Sequence, residues 1–305
     1  MLIVIFALHF NLEIKHRKME NKIILITGAS DGIGKETAKA LSKQGHTLII
    51  HGRNPQKTKA VYEEIKAETG NANIEYLTAD FLSFAEIKRF ADTIKQKYDR
   101  LDVLINNAGA QFTNKREVTV DGHEKTMAIN LFAPFLLTNL LLDLLKKSPS
   151  ARVVTVSSAA HKMSGKPDLN DIELKHNYSM AKAYGISKLY VIWIMQHFVS
   201  EMKKAGINNI TFNTVHPASA KSNLGRESTK SLLAKIVYFL WRPIMKTTAE
   251  GASSSIYAAI SPELEGVTGK YFGLKGEEKP STKYYSAENE QIIWDYCKQV
   301  TEDYL

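Results

Sequence analysis

The sequence of 305 residues predicts an α/β fold with a doubly wound parallel sheet. Short apolar runs alternate with longer amphipathic stretches almost from end to end, and no Pro/Gly/Ser-rich linker interrupts them. The runs lack polar alternation, which is typical of strands that are covered on both faces. This order indicates βαβ units with right-handed crossovers and helices on both faces of the sheet. We therefore expect three layers, about seven strands, and a ligand crevice beyond the carboxyl ends of the strands.

Each element can be assigned from its pattern. The apolar runs predicted to be strands are Ile23–Ile26, Thr47–Ile50, Ile74–Leu77, Leu101–Ile105, Val153–Val156 and Ile210–Val215. The amphipathic stretches predicted to be helices lie near 33–44, 56–69, 83–97, 118–146 and 180–204.

Two stretches depart from this alternation. Residues 159–179 are polar and are predicted to form a loop. Residues 218–246 follow the sixth strand and contain the apolar, aromatic run Ser231–Trp241. That run is compatible with a buried helix or a partner surface. Because it follows the end of a strand, we favour a substrate lid over a hydrophobic pocket.

Composition limits the classes of function. The net charge is +8 and the pI is about 9.2, but the basic residues are scattered and form no stripe with aromatic residues. A nucleic-acid partner is therefore not expected, whereas an anionic small molecule would use part of the charge. The only cysteine, Cys297, rules out an internal disulfide and indicates a reducing, cytoplasmic location. We expect it to be an ordinary apolar thiol.

The N-terminus is predicted to be an extension outside the fold. Residues 1–8 are almost entirely apolar, but this is far shorter than the roughly 20 residues that span a bilayer. No cleavage site of a secretory signal follows. We expect residues 1–19 to be disordered, with Met19 as an alternative start and a weak membrane-surface anchor as the other possibility. Residues 20–305 are predicted to form a single domain.

A glycine-rich loop joins the first strand to the first helix. It reads TGASDGIGK over residues 27–35 and contains Gly28, Ser30, Gly32, Ile33 and Gly34. Glycines allow a tight turn and a close approach of the backbone to a ligand, and the helix N-terminus offers free N–H groups. A strand before the loop and a helix after it predict a site for a dinucleotide pyrophosphate. A glycine-rich turn without a ligand is the alternative.

The spacing TGxxxGxG resembles the single-domain branch of the short-chain dehydrogenase/reductase family, and the resemblance covers about residues 20–300. It implies a Rossmann fold and a nicotinamide dinucleotide. An acidic residue after the second strand would bond the ribose 2′-OH of NAD, but this chain has Arg53 there. A guanidinium can pair with a 2′-phosphate, with Lys35 nearby in the family. We therefore expect NADP(H), unless Arg53 is only a solvated loop charge.

Tyr184 and Lys188 form a YxxxK element on a predicted helix. A step of four residues puts both side chains on one face, one turn apart. A tyrosine hydroxyl has a pKa near 10 in isolation, and a neighbouring ammonium is expected to lower that pKa. In the family, these residues are the proton-transfer group and its helper, and Lys188 also bonds the nicotinamide ribose.

Ser158 follows the fifth strand and matches the family's serine that binds the substrate oxygen. Its neighbour Ser157 is excluded, because consecutive strand residues face opposite sides. The alternative is a serine that only caps the loop. The gap between Ser158 and Tyr184 is longer than in many members and resembles the retinol-dehydrogenase-like subgroup.

Other residues match the family at strand ends and on a helix. In NNAG at 106–109, the resemblance assigns Asn107 to the adenosine side and Asn106 to bracing the sheet. Asp80 and Phe81 match the pair beside the adenine. Asn130 matches the helical asparagine that holds a water in the proton relay.

The loop after the sixth strand departs from the family. The family reads HPG and then a threonine, whereas this chain has His216, Pro217 and Ala218, with Ser222 in place of the threonine. Pro217 is expected at the nicotinamide, and His216 is expected to be structural. No His/Cys/Asp cluster has metal-ligand spacing, so no metal is predicted.

The resemblance implies an NADP(H)-dependent oxidoreductase that interconverts a primary or secondary alcohol and its aldehyde or ketone. A lipophilic substrate is favoured, and a small xenobiotic carbonyl is the alternative. Two other classes stay open: a catalytically silent NADP(H)-binding regulatory protein, and a membrane-surface or scaffold protein. A sugar-nucleotide epimerase is disfavoured, because too few residues follow the sixth strand. The family also suggests a homodimer or homotetramer.

Overall fold

The computed structural model describes residues 21–217 and 246–305. The predicted extension at 1–19, nearly all of the predicted lid at 218–246 and the apolar run at 231–241 lie outside the described residues. No helix in the described ranges is both long and apolar enough to cross a bilayer.

The described strands form a single sheet of eight strands in the order β3-β2-β1-β4-β5-β6-β7-β8. Neighbouring strands are parallel except for the antiparallel pair β7–β8. The strands are β1 Ile23–Ile26, β2 Thr47–Gly52, β3 Ile74–Thr78, β4 Val103–Asn106, β5 Ala151–Val156, β6 Ile210–Val215, β7 Tyr271–Gly273 and β8 Gly276–Glu278. The strand order reverses between β1 and β4, so the crevice for a ligand opens there. The predicted doubly wound α/β fold is confirmed.

The eighth strand adds to the expected sheet of about seven. β7 and β8 are three residues each and are joined by a tight turn at Gly273–Gly276. Gly276 has a φ of +112°, a conformation that L side chains rarely adopt. Strands this short carry too few residues to show an apolar run, so the sequence pattern did not reveal them.

The continuous apolar runs are explained by two hydrophobic cores, one on each face of the sheet. In β1, Leu25 belongs to one core and Ile24 and Ile26 to the other. All three side chains have no exposed area. Successive residues of a strand point to opposite faces, so both sets must be apolar when helices cover both faces.

The helices fill the two outer layers. They are α1 Gly32–Lys43, α2 Pro55–Thr69, α3 Phe84–Lys97, α4 Lys125–Met127, α5 Ala133–Leu140, α6 Leu142–Lys146, α7 Met180–Lys204, α8 Thr248–Ile260 and α9 Ala287–Thr301. Short 3₁₀ segments lie at Ala159–Met163, Pro262–Leu264 and Glu302–Tyr304. Side-chain caps set several starts: Asp31 accepts from Gly32 N–H (2.8 Å) before α1, and Ser179 accepts from Lys182 N–H before α7.

The predicted helix over 118–146 is wrong in its first part and interrupted in its middle. Val118 pairs with Glu124 across a turn that contains Gly122, so helical structure begins only at Lys125. Between α4 and α5, residues Ala128–Phe132 form a π-helical segment, in which Ala133 N–H donates to Ala128 O. Pro134 follows and has no N–H for the ordinary α-helical bond.

The C-terminal helix α9 is held against α7 by aromatic contacts. The Trp294 ring stacks on His197 (4.4 Å between centroids) and meets Phe198 edge-on (4.7 Å). His197 Nδ1 lies 3.0 Å from a Glu290 carboxylate oxygen. Cys297 is fully buried in the same layer, and burial raises the pKa of its thiol. The prediction of an ordinary apolar thiol is therefore confirmed.

The docking of α9 yields a stability prediction. We expect Trp294→Ala to lower the free energy of unfolding by about 3–5 kcal/mol, because it removes a buried aromatic ring and leaves a cavity. Ile292→Ala is the control on the same helix, since Ile292 is 37% exposed and should cost far less. Urea unfolding followed by circular dichroism measures both, and equal losses would contradict the assigned packing.

Candidate active site

The glycine loop is shaped by contacts that leave no room for side chains. Gly28 has a φ of +66°, and a Cβ there would lie 2.8 Å from the Cα of Ala108. A Cβ at Gly34 would lie 2.3 Å from the Gly28 carbonyl oxygen. The backbone of the loop is therefore pressed against the end of β4. The first turn of α1 leaves N–H groups without a partner in the helix, and these face a ligand bound over the loop.

Asn107 braces this loop. Its Nδ2 donates to Thr27 O (2.8 Å) and to Gly28 O (3.1 Å), and Thr27 Oγ1 accepts from the backbone N–H groups of Asn107 and Ala108 (both 2.9 Å). Asn106 points the other way, donating to Thr138 Oγ1 (3.1 Å) and Thr155 Oγ1 (3.3 Å). The Asn107 side chain thus holds the loop itself, and Asn106 joins the sheet to α5.

His51 is a site residue that the sequence analysis missed. Gly28 N–H donates to its Nδ1 (3.2 Å), so its Nε2 carries the proton and donates to Ala79 O (3.1 Å). Its ring stacks on Phe81 with 4.0 Å between centroids. Burial lowers the pKa of His51 to about 4. This neutral imidazole fastens the glycine loop to the ends of β2 and β3. A histidine in an otherwise apolar strand was the available signal.

The residues expected near the adenosine differ in whether their side chains already have partners in the protein. Arg53 is exposed and makes no hydrogen bond or ion pair with any other described residue. Lys35, expected nearby, is instead paired with Glu64 at 2.6 Å. Phe81 is buried against His51. The Asp80 carboxylate accepts from Leu82 N–H (3.0 Å) and closes the turn after β3. Of the two cations expected near the adenosine, Arg53 is thus the one without a partner among the described residues, whereas Lys35 has one.

Ser30, Gly32 and Ile33 complete the glycine loop, which was predicted to bind a pyrophosphate. All three are half-buried. A Cβ at Gly52 would lie 2.8 Å from the Ser30 side chain, so the loop also packs on the end of β2.

The two serines after β5 have different surroundings, as predicted. Ser157 is 2% exposed, and its hydroxyl donates to the backbone carbonyl of Lys188 (2.8 Å). The Ser158 side chain lies near Tyr184 and lowers the pKa of its phenol in part. Ser158 Oγ also accepts from Ala160 N–H (3.2 Å). Ser157 anchors α7 to the sheet, and Ser158 meets the tyrosine.

Lys188 is buried beside Tyr184 on the same face of α7. Its Nζ donates to Val156 O (2.8 Å) and lies 5.9 Å from the centre of the Tyr184 ring. A Cβ at Gly109 would lie 3.2 Å from this Nζ and 2.8 Å from Asn130 Oδ1. The NNAG turn therefore approaches both side chains closely, and its glycine keeps that space open.

The expectation that Lys188 lowers the pKa of Tyr184 is wrong for the protein on its own. Burial raises the pKa of Tyr184, although the neighbouring Ser158 side chain lowers it in part. Burial also lowers the pKa of Lys188 to about 7. Burial therefore disfavours the charged form of both groups, and this outweighs the effect expected from their spacing on the helix.

Asn130 lies in the π-helical segment and ties three elements together. Its Oδ1 accepts from Ala110 N–H (3.0 Å), and its Nδ2 donates to Ala110 O (2.9 Å) and Ser187 Oγ (3.0 Å). Its side chain is therefore fully occupied. Pro134, four residues on, has no N–H to offer the backbone carbonyl of Asn130.

The end of β6 borders the site. His216 Nε2 lies 3.1 Å from a Glu278 oxygen on β8, and its carbonyl accepts from Ser254 Oγ (3.3 Å), so His216 joins structural elements as expected. Pro217 is half-buried and ends the described range. Ala218 and Ser222 lie outside the described residues. Within the described ranges, no three His, Cys, Asp or Glu side chains gather as metal ligands.

These residues lie one after another along the carboxyl ends of the neighbouring strands β2, β1, β4 and β5, where ligands bind in open α/β sheets. Arg53 lies at one end, the glycine loop in the middle, and Ser158, Tyr184 and Lys188 at the other. Side chains at Gly28, Gly34 and Gly109 would fill the space beside the loop and the NNAG turn. The absence of side chains there fits an extended, phosphate-bearing ligand. A phenol and a serine hydroxyl then meet at the far end, where they can bind one oxygen atom and move its proton.

Comparison with known proteins agrees with this geometry. A family model described as short chain dehydrogenase matches residues 22–232. Human polyprenol dehydrogenase is 38% identical over 287 residues, covering 92% of this chain and 85% of that protein. Bovine retinol dehydrogenase 12 is 37% identical over 251 residues, covering 82% of this chain and 77% of that protein.

A solved structure gives the same result at the level of the backbone. A short chain dehydrogenase from Shigella flexneri, complexed with NADP, superposes with a TM-score of 0.65 and is 26% identical, covering 85% of this chain and 99% of that chain. Since the family match spans most of the sequence and the alignments cover 85% and 77% of these two relatives, this chain belongs to the short-chain dehydrogenase family, in its retinol-dehydrogenase-like subgroup.

Proposed function

We propose that this chain is an NADP(H)-dependent oxidoreductase that interconverts a lipophilic alcohol and its aldehyde or ketone, with Tyr184 as the general acid–base. As a short-chain dehydrogenase, it is an oxidoreductase acting on CH–OH groups. The observation that carries the finer proposal is the placement of Tyr184 beside the buried Lys188 on α7, with Ser158 near enough to lower the pKa of the tyrosine.

The proton transfer follows from these contacts. The bound dinucleotide supplies or accepts the hydride at the substrate carbon. Tyr184 donates its phenolic proton to the substrate oxygen during reduction and accepts that proton during oxidation. The Ser158 hydroxyl binds the same oxygen and keeps it within reach of the phenol. General acid–base help of this kind contributes about 10²–10⁴-fold to the rate.

Lys188 and Asn130 support the proton transfer by Tyr184. Lys188 holds its ammonium against Val156 O (2.8 Å), next to the space kept open at Gly109, where it can bond a ribose hydroxyl. The carbonyl of Asn130, which Pro134 cannot bond, is suited to hold a water that links Lys188 to solvent. The side chain of Asn130 positions this carbonyl through its bonds to Ala110 and Ser187.

The raised pKa of Tyr184 has a direct consequence for the chemistry. Burial keeps the phenol protonated near neutral pH in the protein alone, which is the form that reduction of a carbonyl requires. Oxidation of an alcohol requires the phenolate, and a positive charge next to the phenol would favour it.

Two observations support NADP(H) as the cofactor. Arg53 follows β2 with its guanidinium free and exposed, and no acidic residue stands beside it to bond a ribose 2′-OH. Related short chain dehydrogenases from Shigella flexneri and Escherichia coli were solved with NADP and NADPH.

The proposed substrate class rests on the relatives. Their names specify polyprenol and retinol, which are both long apolar alcohols. The apolar run at 231–241, expected to cover a hydrophobic pocket, agrees with such a substrate.

The function is tested by a single substitution on α7. In a panel of retinoid, isoprenoid and aromatic alcohols and carbonyls, Tyr184→Phe should lower turnover by at least ~10²-fold, because the proton donor is lost. Binding of NADPH, followed by its fluorescence, should persist. Tyr190→Phe is the matched control, since the Tyr190 hydroxyl is buried without a partner in the described residues and should be dispensable. Full activity of Tyr184→Phe would refute the assigned role.

Cofactor choice is tested at the other end of the crevice. Arg53→Ala should raise the Kd of NADPH about tenfold or more and leave that of NADH nearly unchanged, because a charge-assisted bond worth about 1.5–3 kcal/mol is lost. Lys59→Ala removes an exposed positive charge nearby and serves as the control. If Arg53→Ala weakened both dinucleotides equally, the 2′-phosphate would not be its target.

A further inference from the structure

A buried histidine lies directly behind Ser158. His161 occupies the middle of the 3₁₀ turn Ala159–Met163 and is 1% exposed. It belongs to none of the elements already assigned to proton transfer or cofactor binding. A buried imidazole must have its nitrogens bonded, so its partners define what it does.

The two ring nitrogens of His161 have different partners. Its Nε2 lies 3.0 Å from the backbone nitrogen of Ser281, and its Nδ1 lies 2.6 Å from the carbonyl oxygen of Ser158. The Ser281 N–H can only donate, so Nε2 is the acceptor and carries no proton. Nδ1 therefore carries the proton and donates it to Ser158 O. These two bonds specify one neutral tautomer.

The surroundings favour the neutral ring. Burial lowers the pKa of His161, and the neighbouring side chains of Lys162 and His216 lower it further. The Ser158 carbonyl and Glu278 act in the opposite direction, but they do not outweigh burial. The ring of Tyr271 on β7 closes the pocket edge-on, at 5.2 Å between centroids.

The hydrogen bond from His161 Nδ1 is made to the backbone of Ser158, the residue that carries the hydroxyl. The Ser158 carbonyl also accepts from the N–H of His161 (3.1 Å), and Ser158 Oγ accepts from Ala160 N–H (3.2 Å). Both the main chain and the side chain of Ser158 are thus fixed by the turn. On its other side the turn is pressed against α7, because a Cβ at Gly185 would lie 3.1 Å from Ala160 O. Gly185 is the residue after Tyr184.

We propose that His161 is a positioning residue for the reaction: its Nδ1–H sets the backbone of Ser158, and thereby the position of the Ser158 hydroxyl beside Tyr184, while its Nε2 fastens the same turn to Ser281. The role rests on the proposed function of Ser158 and Tyr184. Because Ser281 follows β8, the last segment of the chain contributes to the geometry of the site through one imidazole.

Two amide substitutions separate the halves of this role. The amide nitrogen of asparagine reaches about as far as Nδ1, so His161→Asn keeps a donor for Ser158 O and loses the bond to Ser281. The longer glutamine reaches about as far as Nε2, so His161→Gln keeps an acceptor for Ser281 and loses the bond to Ser158. His176→Gln, at an exposed position of the same connection, is the control.

The expected result is a kinetic difference between the two variants. His161→Gln should lower kcat on the order of 10²-fold, as small displacements of reacting groups do, with little change in the KM for NADPH. Because the neighbouring Ser158 side chain lowers the pKa of Tyr184, the alkaline limb of the reduction rate should move to higher pH in this variant. His161→Asn should keep kcat within a few-fold of the unmodified protein. Thermal unfolding reports the stability of each variant.

Two outcomes would overturn the proposal. Loss of activity in His161→Asn with retention in His161→Gln would show that the tether to Ser281 matters and the contact with Ser158 does not. Equal losses in both variants, in step with their unfolding temperatures and without a shifted pH profile, would reduce His161 to a structural residue.

A spectroscopic measurement keeps this test separate from the proposed function. In ¹⁵N-labelled protein, His161 should give the chemical shifts of the Nδ1–H tautomer and should titrate at a lower pH than a solvent-exposed imidazole, because burial lowers its pKa. If no substrate is turned over, the proposed function fails, but this spectrum still tests the contact with Ser158. An Nε2–H tautomer or an imidazolium would overturn the positioning role, whatever the activity.

Discussion

The structure depends on the burial of a parallel sheet on both faces. β1, β4 and β5 contribute apolar side chains to the cores on both faces, so the polar groups of the site stand where each strand stops. Thr27, Asn107 and Ser158 stand at these stops, at neighbouring positions along one edge. The side chains that bind each other there come from distant parts of the sequence. Their arrangement is set by the register of the sheet.

Backbone segments approach each other and the site side chains closely along this edge. The glycine loop rests on Ala108, and Gly109 leaves space between Asn130 and Lys188. Each close approach requires a glycine. The side-chain amides of Asn107 and Asn130 hold the two backbone segments in place through hydrogen bonds to Thr27 O and Ala110 O. The site is therefore rigid before any ligand arrives, which reduces the ordering that binding requires.

The sequence analysis predicted the features that have a period or a fixed spacing. The six predicted strands, the glycine loop and the positions of Tyr184 and Lys188 on one helical face follow from local patterns, although β3, at the sheet edge, is only partly buried. Ser158 was distinguished from Ser157 by the alternation of a strand, and their surroundings agree with it. These predictions depend only on backbone geometry over a few residues.

The features that the sequence did not predict depend on contacts between distant segments. His51 bonds Gly28 and Ala79, and nothing near His51 in the sequence indicates these partners. The pairing of Lys35 with Glu64 likewise requires α1 and α2 to lie side by side. The pKa of Tyr184 was predicted in the wrong direction, because a charge at a known spacing was considered without the burial of both groups. Burial is a property of the whole fold.

The π-helical segment restricts how the length of this chain can change. In its wide turn, Ala133 N–H donates to the carbonyl of Ala128, five residues earlier, and not to the carbonyl four residues earlier as in an α-helix. Removing a single residue from this segment would restore an ordinary helical turn and rotate Asn130 by about 100° relative to α5. The amide of Asn130 would then lose its hydrogen bonds to Ala110 and Ser187 at the same time. Insertions and deletions should therefore be tolerated at the surface turn around Gly122, but not in the wide turn a few residues later.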